Sequence, residues 1–517
     1  MVMPPIKIWD YSNNAFKLAS GYQYADKTVG PISFTTEGVL TSLASFALKF
    51  TTSGYVLANN GMIGATAVGS TGILAVSQPT DTGLTKITIG ASGEVFGDNA
   101  GIGVFGLVTI ANGGTITGNT YGIFDPYIGN VTITNSGTIN GGTYAISVTG
   151  AGTHTITNSG ILNGHITAGG VGIDLLTNSG TINGPVDLGD GNNVLKNTGF
   201  INGNVLFGTG NDKFTDSGSI FLGAGIDMGA GDDVFTGGNS TEFVLDGAGK
   251  DKYALGGGYD VFLAGAPGSA DGFVDTIDGG SSSGVNPTGA VHGQGDTYSA
   301  VFAVNAVVIN IDTVSHSEPS ASQLVYVASQ ASGNDIGIDS IKNFESAYGG
   351  NGADIIFGNA VANDLEGNNG HDVLHGYAGN DYVEGGAGSD FLFGDKGADL
   401  LMGGTAITPA DHAADYFMYT ALTDSTVAKA GRDTITFFED GFDQIVLQAI
   451  PGHTNGTFVG VDAAFAPVAG HLEARAVTTL AGWTIQIDSN GDGKADMAID
   501  VVDAAHAVSW SGADFLF

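Results

Sequence analysis

An acidic residue flanked by glycines returns every nine positions in the second half of the chain. From Gly349 to Met402 the sequence reads GGNGADIIF, GNAVANDLE, GNNGHDVLH, GYAGNDYVE, GGAGSDFLF and GDKGADLLM, six units of nine without a slip. The sixth position holds Asp354, Asn363, Asp372, Asp381, Asp390 and Asp399. The eighth is apolar throughout: Ile356, Leu365, Leu374, Val383, Leu392 and Leu401. The second unit departs twice, with Val361 at position four and Asn363 in place of aspartate. Glycine reaches turn conformations closed to other residues, so such turns can aim successive carbonyl oxygens at one point. An aspartate adds a carboxylate there, and an all-oxygen donor set suits Ca2+. A purely structural glycine repeat has no need of the aspartates. The sixth-position residues are therefore read as Ca2+ ligands.

Spacing also says what must position them. The last three residues of each unit form a short strand whose apolar residue points inward. Two units make one coil, so turns one coil apart stack. Asp354, Asp372 and Asp390 should line one edge, and Asn363, Asp381 and Asp399 the other. Upstream runs a looser repeat, Asn-Ser-Gly-Thr-Ile-Asn-Gly, with central glycines at 93, 114, 137, 160, 180, 199 and 218. A period near 20 residues, rich in β-branched residues with Gly/Asn punctuation, reads as one coil of a parallel β-helix. Asparagine and glycine would take the left-handed conformation at its corners. A helical reading fails because no 3.6-residue apolar period is sustained. A β-sandwich does not explain the returning heptapeptide.

The two systems merge. Turns resembling the nonapeptide turn place Asp212, Asp233, Asp251 and Asp260 after paired glycines. The first three are further candidate metal ligands. Lys213, Lys250 and Lys252 lie beside them, which leaves an ordinary charged turn open as the other reading. The expected fold is all-β: a parallel β-solenoid that narrows into a calcium-binding parallel β-roll, followed by a β-rich C-terminal domain. The expected boundaries are an N-terminal cap or small module at 1–53, the solenoid at 54–262, a connecting segment at 263–348, the β-roll at 349–404 and the last domain at 405–517. Aromatic residues Trp9, Tyr11, Phe16, Tyr22 and Tyr24 would cap the first coil. Pro267, Pro287 and Ser281–Ser283 mark a loop or boundary.

Composition agrees. The chain has 517 residues, 52 acidic and 15 basic, for a net charge of −37. Arg432 and Arg475 are its only arginines, which excludes a basic nucleic-acid face. Cysteine is absent, so disulfide scaffolds and thiolate metal sites are excluded. Residues 1–173 carry seven acids and five lysines, so nearly all the charge lies after them. No run of 18 apolar residues suggests a transmembrane helix. The N-terminus lacks the pattern of a secretory signal, so the chain is expected to be cytoplasmic or exported by a route that reads another signal.

The nonapeptides resemble the RTX, hemolysin-type, calcium-binding repeats. Gly295–Ala300 and Asp339–Glu345 are similar to the lead-in that precedes such arrays. The segments Gly431–Leu447 and Trp483–Ile499 resemble the serralysin C-terminal domain, and the ending Asp514-Phe-Leu-Phe517 resembles the signal read by type I (ABC) exporters of Gram-negative bacteria. The resemblance implies Ca2+ as cofactor, the export machinery as a partner, and a secreted, extracellular or cell-surface location. A non-enzymatic surface, adhesin or matrix role, with cell-surface glycans or self-assembly as partners, is the expectation for the upstream solenoid.

Three motifs suggest catalysis instead. His371-Asp-Val-Leu-His375 has the histidine spacing of a zincin but no glutamate base. Tyr121-Gly-Ile-Phe-Asp-Pro-Tyr127 resembles the Tyr-Gly-Phe-Asp-Pro-His motif of secreted mannuronan epimerases, with Ile123 inserted and Tyr127 in place of histidine. It keeps open a polysaccharide epimerase or lyase. Asp488-Ser-Asn-Gly-Asp-Gly493 matches half an EF-hand loop, but Ile499 stands where the bidentate glutamate belongs, so an Asx turn and a cation site both fit.

Overall fold

The computed structural model describes residues 24–25, 33–36, 39–42, 46–50, 56–76, 84–127, 129–221, 223–265, 273–282, 295–316, 325–405, 411–448, 450–453, 455–466, 468, 471–503, 505 and 507–517. Trp9, Tyr11, Phe16, Tyr22, Pro267, Ser283 and Pro287 lie outside the described residues. The described residues hold β-strands and two short 3-10 turns, Lys429–Gly431 and Gly512–Asp514, with no α-helix. Two compact units divide the chain at 242/243.

In the first unit, alternation of apolar and polar residues lets each strand bury one face while its main chain pairs with the next coil. Strands Val108–Asn112, Val131–Asn135, Thr155–Asn158, Leu175–Asn178, Val194–Asn197 and Lys213–Asp216 stack in parallel register. Their middle residues Ile110, Ile133, Ile156, Leu176, Leu195 and Phe214 form a buried column. A second sheet supplies Ile116, Ile139, Leu162, Ile182, Ile201 and Ile220 from the heptapeptides. Coil pairing extends back past residue 54. Ser33–Thr36 pairs with Val56–Asn59, and Val39–Ser42 with Met62–Ala65. Those strands pair coil to coil with the solenoid without carrying the Asn-Gly signature.

The asparagines are not corner residues. None of the heptapeptide's first asparagines has a positive φ. They end their strands pointing inward, and their amides bond coil to coil: Asn112 Nδ2 donates to Asn135 Oδ1, Asn135 to Asn158, Asn158 to Asn178, and Asn178 to Asn197, at 2.7–2.8 Å. The glycines two positions on also keep ordinary backbone angles. Glycine is required there because a Cβ on Gly137, Gly160, Gly180 or Gly199 would fall on the carbonyl oxygen of the equivalent glycine one coil back. Close stacking, not left-handedness, selects the motif.

In the second unit, strands Ile355–Phe357, Val373–His375, Phe391–Phe393, Tyr416–Met418 and Gln444–Val446 stack in parallel as one sheet. Ser346–Tyr348, Asp364–Asn369, Tyr382–Ala387, Leu400–Met402 and Thr434–Thr436 form the facing one. All six eighth-position residues are fully buried between them. Here left-handed corners do occur, at position two of the nonapeptide: Asn368 (φ 72°), Tyr377 (φ 71°), Gly386 (φ 106°) and Asp395 (φ 59°). An antiparallel excursion, Val307–Asn310, Gln330–Gly333 and Gly337–Lys342, precedes the array. Toward the C-terminus, Leu472–Thr478, Gly482–Asp488 and Met497–Val502 run antiparallel, and the last of these joins Thr434–Thr436 in parallel.

Candidate metal centres

Each sixth-position aspartate ends a tight turn and enters a strand, which draws its side chain back into the turn. Along one edge, Val307 N–H donates to Asp354 Oδ1 (2.8 Å), Asp354 N–H to Asp372 Oδ1 (2.7 Å) and Asp372 N–H to Asp390 Oδ1 (2.8 Å). Along the other, Asn363 N–H donates to Asp381 Oδ1 and Asp381 N–H to Asp399 Oδ1, both at 2.8 Å. The two edges hold the residues that the nonapeptide spacing assigns to them. All six side chains are buried.

In each carboxylate one oxygen is held by the main chain. The Oδ2 atoms of Asp372, Asp381, Asp390 and Asp399 are buried with no hydrogen-bond partner. Each lies against the first glycine of its own unit: a Cβ on Gly367, Gly376, Gly385 or Gly394 would fall on that oxygen. The glycine is thus a cradle for the carboxylate. Burial, reinforced by neighbouring carboxylates and opposed by the backbone N–H bond, pushes Asp372 and Asp399 up to about 7 and Asp381 and Asp390 up to about 8. Burying anions in rows is costly without a counter-charge. A divalent cation among these turns would meet carboxylate and carbonyl oxygens only, the donor set of Ca2+ rather than of zinc or copper.

Asp354 and Asn363 differ from the other four. Asp354 accepts the amides of Val307 and Gly350, and burial raises it to about 6. Asn363 brings no charge: its Oδ1 accepts from Asn359 N–H and its Nδ2 donates to Glu345 O.

The first unit holds the same kind of ladder. His154 N–H donates to Asp174 Oδ1, Asp174 N–H to Asn193 Oδ1, Asn193 N–H to Asp212 Oδ1 and Asp212 N–H to Asp233 Oδ1, at 2.6–2.9 Å. Burial lifts Asp212 to about 6. Sequence reasoning proposed Asp212 and Asp233 but passed over Asp174, although Gly169, Gly170 and Gly172 precede it at the spacing of the nonapeptide turn. The common interval of 19–21 residues was a further signal. In the second unit, Asp251 N–H donates to Asp275 Oδ1, and Asp246, Asp251 and Asp275 bring carboxylate oxygens within 4.8 Å of one another. Asp246 and Asp275 were also missed, since neither follows the paired glycines of the nonapeptide turn. Lys213, Lys250 and Lys252 are exposed, outside this buried row.

The two histidines of the zincin-like spacing have separate partners. His371 is exposed and its Nδ1 accepts from Ser389 N–H, whereas His375 stacks on Phe393 at 3.9 Å. Asp125 is fully buried, its Oδ1 capped by Tyr127 N–H, and burial raises it to about 6. Tyr121 stacks on Tyr144. Asp488 accepts the amides of Asn490, Gly491 and Gly493, an Asx-type loop closed on itself.

Comparison with known families agrees with this geometry. Residues 346–365 and 366–401 match the RTX calcium-binding nonapeptide repeat, in four copies. RTX nonapeptide repeats bind calcium ions. No curated protein matches the chain. Among solved structures, the chain is similar to a solution structure of a subunit of the Azotobacter vinelandii mannuronan C5-epimerase, at 23% identity, covering 32% of this chain and 79% of that one, with a TM-score of 0.16. Among the described residues, no helix is long and apolar enough to cross a membrane.

Proposed function

We propose that the protein is an exported, calcium-dependent β-solenoid that serves as a surface, adhesin or matrix component, with no catalytic role. Asp354, Asp372, Asp390, Asp381 and Asp399, with Asn363 as a neutral member, are its nonapeptide Ca2+ positions. Asp212, Asp233 and Asp251 are secondary ones. The observation that carries the reading is the row of buried carboxylates, each with one oxygen held by main chain and, in four of them, the other without a partner.

Export and folding join in this reading. Phe515–Leu516 pairs with Gln444–Val446, and Asp514 closes a capping box with Ser511. An exporter that reads these residues would meet them in the unfolded, calcium-poor chain. Residues 405–517 form the export domain, and the source is a Gram-negative bacterium. Deleting residues 405–517 should trap the protein inside the cell. Unchanged secretion would remove type I export from the reading.

The surface of the first unit favours binding or assembly. One sheet face carries Thr109, Thr132 and Thr155 in one column and Thr134, Thr157 and Thr177 in the next. The other carries Thr117, Asn140, Asn163 and Asn183, bonded side chain to side chain. Incubation of the calcium-loaded protein with alginate, pectin and related glycans tests the reading. Retention without a change in the polymer is expected. New uronate epimers or unsaturated ends would overturn the non-catalytic part.

A further inference from the structure

We propose that the calcium ladder continues past the nonapeptide repeats, through Asp415 on one edge and Asp433 on the other, each supporting one more Ca2+. The inference rests on reading the nonapeptide aspartates as ligands.

The bond that defines the ladder repeats at both residues. Asp390 N–H donates to Asp415 Oδ1 at 3.0 Å, and Asp399 N–H to Asp433 Oδ1 at 3.1 Å. Both side chains are as buried as those inside the array. At Asp433 the likeness extends to the second oxygen: Oδ2 is buried and has no hydrogen-bond partner, as at Asp372, Asp381, Asp390 and Asp399. At Asp415 it extends to the cradle. A Cβ on Gly403 would fall on Asp415 Oδ2, as one on Gly385 would on Asp390 Oδ2. Gly403 precedes its aspartate by twelve residues instead of five, and the turn geometry is nonetheless restored.

The buried Tyr419 hydroxyl lies beside the Asp433 carboxylate, but it is neutral and does not cancel the charge. Arg432, next to it in sequence, is directed elsewhere, to Asp500 Oδ1 at 3.1 Å and to the Val427 carbonyl. Asp424, whose charge acts on Asp433, already accepts from Thr420 N–H, Thr420 Oγ1 and Ala421 N–H. Asp433 therefore faces Asp399 and Asp424, both anionic when ionised, and an oxygen-seeking cation is the chemistry that balances such a group. Sequence spacing hides both positions. The intervals Asp390 to Asp415 and Asp399 to Asp433 are 25 and 34 residues, and the family match stops at 401.

The test is Ca2+ stoichiometry and affinity of the full-length protein, by equilibrium dialysis with metal analysis. Asp415→Asn and Asp433→Asn keep the oxygen that accepts the amide, as Asn193 does at a natural ladder position. Each should lose one ion, or bind one at least tenfold more weakly, and Asp372→Asn should show a loss inside the array. Wild-type stoichiometry in both variants, alongside a loss in Asp372→Asn, overturns the extension and leaves the array reading standing. A wild-type protein that takes up no Ca2+ overturns both. Hydrogen exchange on the unmutated protein gives an independent readout. Residues 411–436 should gain protection as Ca2+ is added. Protection gained at 349–402 with none at 411–436 overturns the extension even if a variant fails to fold.

Discussion

The main-chain N–H of Asp372 donates to the carboxylate of Asp390 at 2.8 Å, across one full coil. Each carboxylate thereby acts on the coil before it, so aspartates that look like independent repeats are mechanically coupled. Asp372→Ala removes the acceptor for Asp354 N–H as well as a ligand oxygen. Two neighbouring Ca2+ positions should weaken, by about tenfold or more each, in a calcium titration. His371→Ala should leave the metal content unchanged, because its ring is exposed and meets only Ser389 N–H. Stoichiometric zinc lost with His371 would contradict this.

Without calcium, the roll should weaken as pH rises. Burial holds Asp372 and Asp399 near 7 and Asp381 and Asp390 near 8, against about 3.9 in an unfolded chain. The folded state binds more protons between these values, so stability is fullest below about pH 4 and falls through about pH 8. Calcium reverses the sign, because its ligand is the ionised form and binding releases protons. In excess chelator, Tm at pH 8 should lie more than about 5 °C below that at pH 5. In saturating Ca2+ the order should invert. The same order in both conditions would show that these carboxylates do not bind the ion.

The asparagine ladder makes a prediction of a different kind. Asn158 Nδ2 donates to Asn178 Oδ1, while Asn158 Oδ1 accepts from Asn135 Nδ2 and Gly160 N–H. Asn158→Leu removes one bond each from Asn135 Nδ2 and Asn178 Oδ1, which keep their bonds to Gly137 O and Gly180 N–H, and takes the acceptor from Gly160 N–H, for a loss of about 1–3 kcal/mol. The loss should be similar with and without calcium, measured by denaturant unfolding. A loss seen only without calcium would mean that the ladder is not an independent support.

Legibility followed periodicity. Asp372 and Asp390 were readable because an exact nine-residue spacing fixes edge, turn and inward residue at once. Asn158 was readable as a repeat but not as a buried rung, since asparagine beside glycine suits a corner equally well. Asp174 was readable from Gly169, Gly170 and Gly172 but stands as a single copy far upstream of the array, whereas the place of Asp275 is set by pairing across coils, not by flanking glycines. Ser33–Thr36 and Val39–Ser42 pair with the coil that follows them but lack the heptapeptide, so no repeat marks them in the sequence.

Calcium removal should therefore act unequally along the chain. In the second unit the carboxylate ladder carries the charge, and ionised neighbours repel across stacked turns unless cations screen them. Bound Ca2+ cancels that repulsion and links turns, so its binding free energy becomes folding free energy. Coils 108–201 of the first unit carry, beside the ladder carboxylate Asp174, a continuous row of neutral amides and a buried Ile/Leu column, and residues 1–173 carry few charges. Chelation should expose the amides of 349–402 to hydrogen exchange first, while those of 108–201 keep most of their protection. Slow exchange at 349–402 with and without chelator would contradict calcium-driven folding. Equal loss in both regions would instead show that the amide ladder cannot stand without the charged one.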